Sequence, residues 1–317
     1  MLLVRKLALV LVAGFSLLNL AAYHHARAFF FYSEGEERTP APEALSWGEK
    51  AKVLLTGIKV PKPRAYALPG DVGLPFEEMV IPGRDGVELA GWWLPHNPSA
   101  EAMVLLFHGY NSEKSGLLPE ALIFHALGLE VVMVDFPGHG DSPGRQTTLG
   151  VREAEDVTTA LDWARARWPE RSIYLYGHSM GGAAVMRAMA LHGAKPDGAI
   201  VESVFDTLLD AIRFRFRLMS LPSFPAAELL LFWGGRQLGV DGFAHDIVAY
   251  ADEVETPILM IHGAKDNRAS VTGAERVFDA LRGERKFLLI DSAGHVNPCV
   301  FEPERWREAV SGFIANR

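Results

Sequence analysis

The sequence of 317 residues contains one cysteine and fewer basic than acidic side chains. A single cysteine, Cys299, excludes an internal disulfide and any metal site built from several cysteines. The formal net charge of −8 argues against a nucleic-acid-binding protein, because such a protein depends on a basic surface. The sequence also lacks a His-Glu-x-x-His motif and a close carboxylate cluster, so we expect no nucleic-acid partner, no metal and no cofactor.

Hydrophobic residues are plentiful by contrast, at 49% of the chain, and charged residues make up 22%. This composition indicates a folded protein with a sizeable core. The most apolar stretch is at the N-terminus, where Arg5 and Lys6 precede a mostly apolar run over residues 7–23. A run of about 17 residues is near the lower limit for crossing a bilayer.

Two interpretations of this N-terminal stretch remain open. If it is retained, residues 1–32 form a signal anchor, with the aromatic residues 29–32 at the membrane interface. If it is cleaved near Ala28, after the tripeptide Ala-Arg-Ala, the rest is a secreted or periplasmic protein. The apolar run is longer than the usual core of a signal peptide, which favours the anchor. Arg5 and Lys6 would then stay cytoplasmic and place the remaining chain outside.

Residues 33–72 are predicted to form a linker followed by a short amphipathic helix. The segment 33–42 is polar and contains proline, and a helix is predicted from Pro42 to about Thr56. Basic side chains concentrate over residues 50–64. Two explanations of these basic side chains remain open. They contact anionic lipid at a membrane surface, or they form the solvated face of a helix that packs on the domain.

Residues 73–317 carry the pattern of an α/β domain. A hairpin over 77–93 with an Asp-Gly turn is followed by apolar strands that alternate with amphipathic helices. This alternation predicts a mostly parallel sheet with helices on both faces. Residues 204–252 interrupt it with two apolar helical stretches. We interpret them as a small helical cap over the carboxyl ends of the strands, where open sheets bind ligands.

A Gly-His-Ser-Met-Gly pentapeptide, residues 177–181, lies between a predicted strand and a predicted helix. In this context a sharp turn presents the serine as a nucleophile, so Ser179 is the candidate. A serine nucleophile needs a base, and the base needs an acid that orients it. His295 follows the last predicted strand and Asp266 follows the strand before it, which places both at the same sheet edge as Ser179. Glu202, after the strand that follows the pentapeptide, is the alternative acid.

Four further reactive side chains are predicted to be structural. His108 ends a strand, where a structural hydrogen bond is expected, and His139 is predicted to stabilise a turn of Gly and Pro. His178 precedes Ser179 and is predicted to pack beside the turn that holds it. Cys299 follows His295 by four residues, but it lacks the strand–turn–helix context and is predicted to be a small buried hydrophobe.

Five motifs, in this order, resemble the α/β-hydrolase superfamily, in particular its branch of serine aminopeptidases, monoacylglycerol lipases and membrane-anchored hydrolases with a small cap. The resemblance extends from Glu77 to the C-terminus, and its motifs lie at 108–110, 135–142, 177–181, 262–266 and 294–295. The order Ser179, Asp266, His295 is that of the superfamily. The resemblance implies the α/β-hydrolase fold and an oxyanion hole formed by the backbone N–H groups of Tyr110 and Met180.

These features predict a serine hydrolase that acts on a small-molecule ester or amide. We expect hydrolysis of a carboxylic ester through an acyl-enzyme, and the apolar cap and the anchor suggest an amphiphilic or lipid-like substrate. A serine peptidase or aminopeptidase with the same triad is the first alternative. A membrane-anchored binding module without catalysis is the second, although such a protein would be expected to have lost a triad residue.

Overall fold

An eight-stranded sheet forms the centre of the computed structural model, which describes residues 1–40, 45–96, 100–218 and 220–315. The strands are β1 (Glu77–Pro82), β2 (Glu88–Leu94), β3 (Ala102–Phe107), β4 (Glu130–Val134), β5 (Ser172–His178), β6 (Gly198–Glu202), β7 (Ile258–Gly263) and β8 (Arg285–Ile290). Their order is β1-β2-β4-β3-β5-β6-β7-β8. Strand β2 is antiparallel to both of its neighbours, and the other adjacent pairs are parallel.

Helices surround this sheet and precede it in the chain. They are α1 (Leu2–Phe30), α2 (Trp47–Thr56), α3 (Leu118–Ala126), α4 (Glu153–Arg167), α5 (Met180–Leu191), α6 (Leu208–Leu218), α7 (Ala226–Leu238), α8 (Ile247–Ala251), α9 (Val271–Ala280), α10 (Pro298–Phe301) and α11 (Pro303–Ile314). The short helix α10 was not expected from the sequence, because four residues are too few for a periodic pattern.

The inner parallel strands are mostly apolar because helices cover both of their faces. Every residue of β4, β6 and β7 is buried. One face packs against α4, α5, α8 and α9 through residues such as Val185 and Val277. The other face packs against α3 and α11 through residues such as Phe124 and Trp306. The predicted fold class, a mostly parallel sheet with helices on both faces, is confirmed.

The predicted cap region holds α6, α7 and α8, which lie between β6 and β7 in the chain. Helix α6 lines two cavities at the carboxyl ends of the strands, next to Ser179.

The helix that precedes the domain, α2, begins after Ser46, whose hydroxyl accepts a hydrogen bond from the N–H of Glu49. This hydrogen bond at the N-terminus of α2 explains where the helix begins. The earlier start expected at Pro42 lies outside the described residues.

Helix α1 has one exposed part and one part that packs against the domain. It is long and apolar enough to cross a membrane, with a mean hydropathy of 1.8. Large apolar side chains are exposed from Leu3 to Leu17. Ala22 and Ala26 are buried, and the Trp233 indole of α7 donates a hydrogen bond of 3.2 Å to the Asn19 amide oxygen. The second half of α1 is therefore part of the folded domain.

Two of the four aromatic residues 29–32, Phe30 and Tyr32, are buried in the domain and do not face a membrane interface, contrary to the expectation. Phe30 is 2% exposed and Tyr32 is 5% exposed. The Phe29 ring packs against Tyr110, with 4.9 Å between the ring centroids. Composition alone favoured the interface because aromatic side chains are common both there and in protein cores. Packing against a loop some 80 residues further along the chain leaves no local sequence pattern.

Candidate active site

Ser179 lies on a strained turn between β5 and α5. Its backbone has φ 52° and ψ −111°, a conformation that non-glycine residues rarely adopt. A Cβ on Gly177 would lie 2.5 Å from the carbonyl of Gly181. A Cβ on Gly181 would lie closer than 3.0 Å to the carbonyl oxygens of Phe107 and His108. Both glycines of the pentapeptide are therefore required for the close contact between the turn, its helix and the neighbouring strand β3.

The three residues predicted to form a triad are joined by hydrogen bonds. The Oγ of Ser179 lies 3.0 Å from Nε2 of His295, and Nδ1 of His295 lies 2.8 Å from Oδ2 of Asp266. All three side chains are largely shielded from solvent. The carboxylate accepts from Nδ1–H, which leaves Nε2 as the acceptor for the serine hydroxyl. This tautomer is the one in which the imidazole acts as a base toward Ser179.

Asp266 is held as a carboxylate by several donors. Burial alone would raise its pKa, but the hydrogen bond and charge of His295 lower it, with help from the backbone N–H groups of Ala269 and Arg268. These two N–H groups donate to Oδ1 at 2.9 Å and 2.7 Å. The resulting pKa lies below the ordinary value. Oδ2 therefore remains available to orient His295 at neutral pH.

Glu202, the alternative acid, lies away from this chain of hydrogen bonds. It is completely buried and accepts a hydrogen bond of 2.8 Å from the indole N–H of Trp306. Among the described residues, no hydrogen bond or ion pair joins it to His295. Burial, together with the nearby carboxyl of Glu120, raises the pKa of Glu202. A buried acid with a raised pKa does not supply the charge that would orient an imidazolium.

The histidines and the cysteine that were predicted to be structural have hydrogen-bond partners in the fold. Nδ1 of His108 donates to the Gly109 carbonyl at 2.9 Å, and its Nε2 accepts from the N–H of Phe136 at 3.1 Å. The ring of His178 donates to the backbone oxygen of His295 at 2.7 Å, and burial lowers the pKa of His178 to about 3. His178 therefore holds the loop of His295 as a neutral ring. The buried thiol of Cys299 donates to Glu120 at 3.3 Å.

The two residues implied to form an oxyanion hole flank Ser179. The N–H of Met180 is the first of helix α5, and the first N–H groups of a helix have no acceptor within it. Tyr110 lies in the loop after β3, and a Cβ on the preceding Gly109 would lie 3.4 Å from the Cβ of Ser179. The loop therefore passes directly beside the nucleophile candidate.

The end of α1 supports this loop, which the sequence did not reveal. The Tyr110 hydroxyl donates to the backbone oxygen of Phe29 at 2.8 Å. The Tyr32 hydroxyl accepts from the N–H of Asn111 at 3.1 Å and donates to Nε2 of His139 at 2.8 Å. His139 thus stabilises a turn, as predicted, but through a partner more than 100 residues away. No spacing or motif signals such contacts.

Two cavities meet at Ser179. The polar cavity, of about 250 Å³, is lined by Asn111, Ser112 and Asn297 on its outer side. The apolar cavity lies under the cap and is lined by side chains that include Phe29, Leu149, Phe205, Leu208 and Ile212. Five residues line both cavities: Tyr110, Ser179, Arg215, Arg268 and His295. An ester placed across Ser179 would thus have one apolar and one polar compartment. Within the described residues, no group of three or more His, Cys, Asp or Glu is arranged to hold a metal ion.

Comparison with known proteins identifies the fold. A family model described as serine aminopeptidase, S33, matches residues 98–207, which include Ser179. An esterase of Pyrococcus furiosus superposes with a TM-score of 0.66 at 24% identity, over 81% of this chain and 96% of the esterase. The chain has the α/β-hydrolase fold. The strand order and the antiparallel β2 agree with that fold.

Sequences similar to this chain occur in bacteria and animals. An uncharacterised protein of Mycobacterium tuberculosis is 26% identical over 274 residues, which are 84% of this chain and 88% of the relative. A lysophosphatidylserine lipase of Mus musculus is 27% identical over 180 residues, which are 55% of this chain and 44% of the lipase. The match to the lipase thus spans less than half of its length.

Proposed function

We propose that this protein is a serine hydrolase that cleaves a carboxylic ester of an amphiphilic molecule. The observation that carries the proposal is the chain of hydrogen bonds from Ser179 through His295 to Asp266 at the junction of a polar and an apolar cavity. Similarity to an esterase and to a lysophosphatidylserine lipase supports ester chemistry. The apolar cavity suits an acyl group, and the polar cavity suits the alcohol.

Acylation begins when Nε2 of His295 takes the proton of the Ser179 hydroxyl, whose oxygen attacks the ester carbonyl. The carbonyl oxygen becomes negative and accepts hydrogen bonds from the N–H groups of Met180 and Tyr110. The tetrahedral intermediate then collapses, the ester C–O bond breaks, and His295 gives its proton to the leaving alcohol. Asp266 stabilises the imidazolium during these steps.

Deacylation repeats these steps with water as the nucleophile. His295 removes a proton from a water molecule, which attacks the acyl carbonyl, and the Ser179–acyl bond breaks as the serine oxygen regains its proton. The products are a carboxylic acid and an alcohol. The strained backbone of Ser179 keeps its Oγ at the cavity junction through both halves of the reaction.

Peptide or aminoacyl-amide hydrolysis is the second candidate, because the matching family model is described as serine aminopeptidase. An aminopeptidase must hold a substrate ammonium group near the nucleophile. The cavities at Ser179 instead present the guanidinium groups of Arg215 and Arg268. Repulsion between these cations and an ammonium group favours the ester.

A fluorophosphonate probe tests the proposed nucleophile. We expect the wild-type protein to be labelled and Ser179→Ala to remain unlabelled, because the probe reacts with a serine activated by a neighbouring base. Ser311→Ala, a substitution on the surface helix α11, is the matched control and should label like the wild type. Absence of labelling in both the wild type and Ser179→Ala would contradict the proposal and favour a non-catalytic binding module.

We also propose that α1 is retained as a membrane anchor, with Arg5 and Lys6 on the cytoplasmic side and the catalytic domain outside. The part of α1 with exposed apolar side chains, residues 3–20, is about 27 Å long at about 1.5 Å per residue. A hydrocarbon core is about 30 Å thick. The domain must therefore lie against the bilayer, with Tyr23 and Trp233 at the interface, where their rings meet at 5.5 Å. Digestion of the domain by protease added to inside-out vesicles would contradict this orientation.

Two deletions separate anchoring from folding. Removal of residues 1–17 is expected to release the protein from membranes with little change in Tm, because those side chains are exposed. Removal of residues 1–28 also uncovers the face of α7 that Ala22 and Ala26 bury, and it is expected to lower Tm by about 5–10 °C. Equal Tm values for the two deletions, or a mature protein that begins at Phe29, would contradict a retained helix with a structural role.

A further inference from the structure

Arg215 places an unpaired positive charge at the candidate active site. It lies on the cap helix α6 and lines both cavities beside Ser179. Its guanidinium lies 5.3 Å from the centroid of the Phe29 ring and 5.9 Å from that of Tyr110. Within the described residues it makes no ion pair and no hydrogen bond. Stacking on two aromatic rings thus fixes its position and leaves its N–H donors free.

Two neighbouring arginines have anionic partners. Arg213 on the same helix is bound to Glu228 at 2.6 Å, and Arg276 on α9 pairs with Asp206. Arg268, on the loop after β7, also lines both cavities and makes no ion pair among the described residues. The charges that face Arg215 are those of Arg268 and of Asp266, and the carboxylate of Asp266 is already engaged by His295. Arg215 and Arg268 thus share the cavity junction without an ion pair among the described residues. The carboxyl that also lines the polar cavity, Glu120, is completely buried and accepts a hydrogen bond from Cys299.

Two neighbouring arginines without ion pairs are unfavourable unless an anion binds between them. Partial burial lowers the pKa of Arg215, and the nearby charge of Arg268 lowers it further. Removing a guanidinium from water without a partner costs free energy, and a second positive charge adds to that cost. Planar guanidinium groups bind phosphate and carboxylate through paired N–H donors. The outer part of the polar cavity, with Asn111, Ser112 and Asn297, has further polar groups for a charged alcohol.

We propose that Arg215 and Arg268 form an anion-binding subsite for the alcohol part of the substrate. The preferred substrate is then an ester whose alcohol carries a phosphate or a carboxylate, and whose acyl chain enters the apolar cavity. This inference rests on the proposed ester hydrolysis and names the substrate class of that same site. An arginine pair beside the leaving group binds the substrate more tightly and does not alter the chemical steps at Ser179.

Three esters with the same acyl chain test the subsite: a monoacylglycerol, a monoacylglycerol phosphate and a monoacylglycerate. We expect the wild-type protein to prefer the two anionic esters, and the larger kcat/KM of the two identifies phosphate or carboxylate as the natural group. Arg215→Gln is expected to lower the ratio of kcat/KM for the anionic ester over the neutral ester by about 10- to 100-fold, mainly through KM. Arg215→Lys should restore part of this ratio because it keeps the charge without the paired donors.

Controls distinguish the subsite from a structural role. Arg217→Gln alters an exposed arginine of the same helix that stacks on Phe214, and it should leave the ratio unchanged. Arg268→Gln, on an exposed side chain, should lower the ratio even if Arg215→Gln folds poorly. An equal loss on neutral and anionic esters in both variants, or no wild-type preference for an anionic ester, would overturn the subsite. Failure of the proposed function is a different result, namely no hydrolysis of any of the three esters and no fluorophosphonate labelling.

Discussion

Asp266→Asn is expected to lower kcat for ester hydrolysis by about 10⁴-fold while the protein stays folded. The carboxylate accepts a hydrogen bond of 2.8 Å from Nδ1 of His295 and two more from backbone N–H groups. An asparagine has nearly the same shape but carries no charge, and its amide N–H₂ favours the tautomer of His295 that has its proton on Nε2. In that tautomer the ring donates to Ser179 and does not accept its proton.

Glu202→Gln is the matched control for this substitution. Both changes convert a buried carboxyl at the carboxyl end of a strand into an amide, but Glu202 contacts Trp306 and not His295. Glutamine keeps an acceptor for the indole N–H, so turnover should remain close to that of the wild type. Steady-state hydrolysis of a chromogenic short-chain ester measures both variants. Full turnover by Asp266→Asn together with loss of turnover by Glu202→Gln would reverse the assignment of the acid.

Gly181→Ala is expected to destabilise the protein by about 4 kcal/mol or more. The added Cβ would lie closer than 3.0 Å to the backbone oxygens of Phe107 and His108, which belong to the neighbouring strand and its loop. A backbone cannot move aside as a flexible side chain can, so helix α5 would have to shift relative to β3. Since a typical domain is stable by only about 5–15 kcal/mol, we expect a large loss of soluble protein and a lower Tm.

Gly312→Ala tests the same change in a helix that has open space around it. A Cβ at Gly312 of α11 meets no heavy atom within 4 Å. Alanine is favoured over glycine in helices, so this variant is expected to gain up to about 1 kcal/mol. Thermal unfolding of the two variants compares them directly. A soluble Gly181→Ala with the Tm of the wild type would show that the turn at Ser179 tolerates a Cβ.

The contact between α1 and the α/β domain would link the proposed membrane attachment to the candidate site. The last turn of α1 contributes Phe29 to the apolar cavity and accepts a hydrogen bond from Tyr110, whose N–H is proposed to bind the oxyanion. The same ring of Phe29 supports Arg215. A displacement of α1 would therefore move both the loop that contains Tyr110 and the proposed anion subsite. An amphiphilic substrate would reach this site close to the bilayer surface.

Local sequence patterns predicted the sheet, its longer helices and the candidate triad residues. Buried parallel strands are continuous apolar runs, amphipathic helices repeat about every 3.6 residues, and a tight turn between them requires glycine. These are local constraints, so they are visible in short stretches such as residues 177–181. The positions of Asp266 and His295 after successive strands follow from the same pattern, because parallel strands end at one edge.

Which of these side chains meet depends on contacts between distant segments. Asp266 and Glu202 both lie at the carboxyl ends of parallel strands, and the hydrogen bond to His295 distinguishes them. The burial of residues 29–32 and the position of Arg215 over Phe29 likewise depend on contacts between residues more than 80 positions apart. Such contacts depend on shape and packing between distant segments, which leave no periodic pattern in either segment.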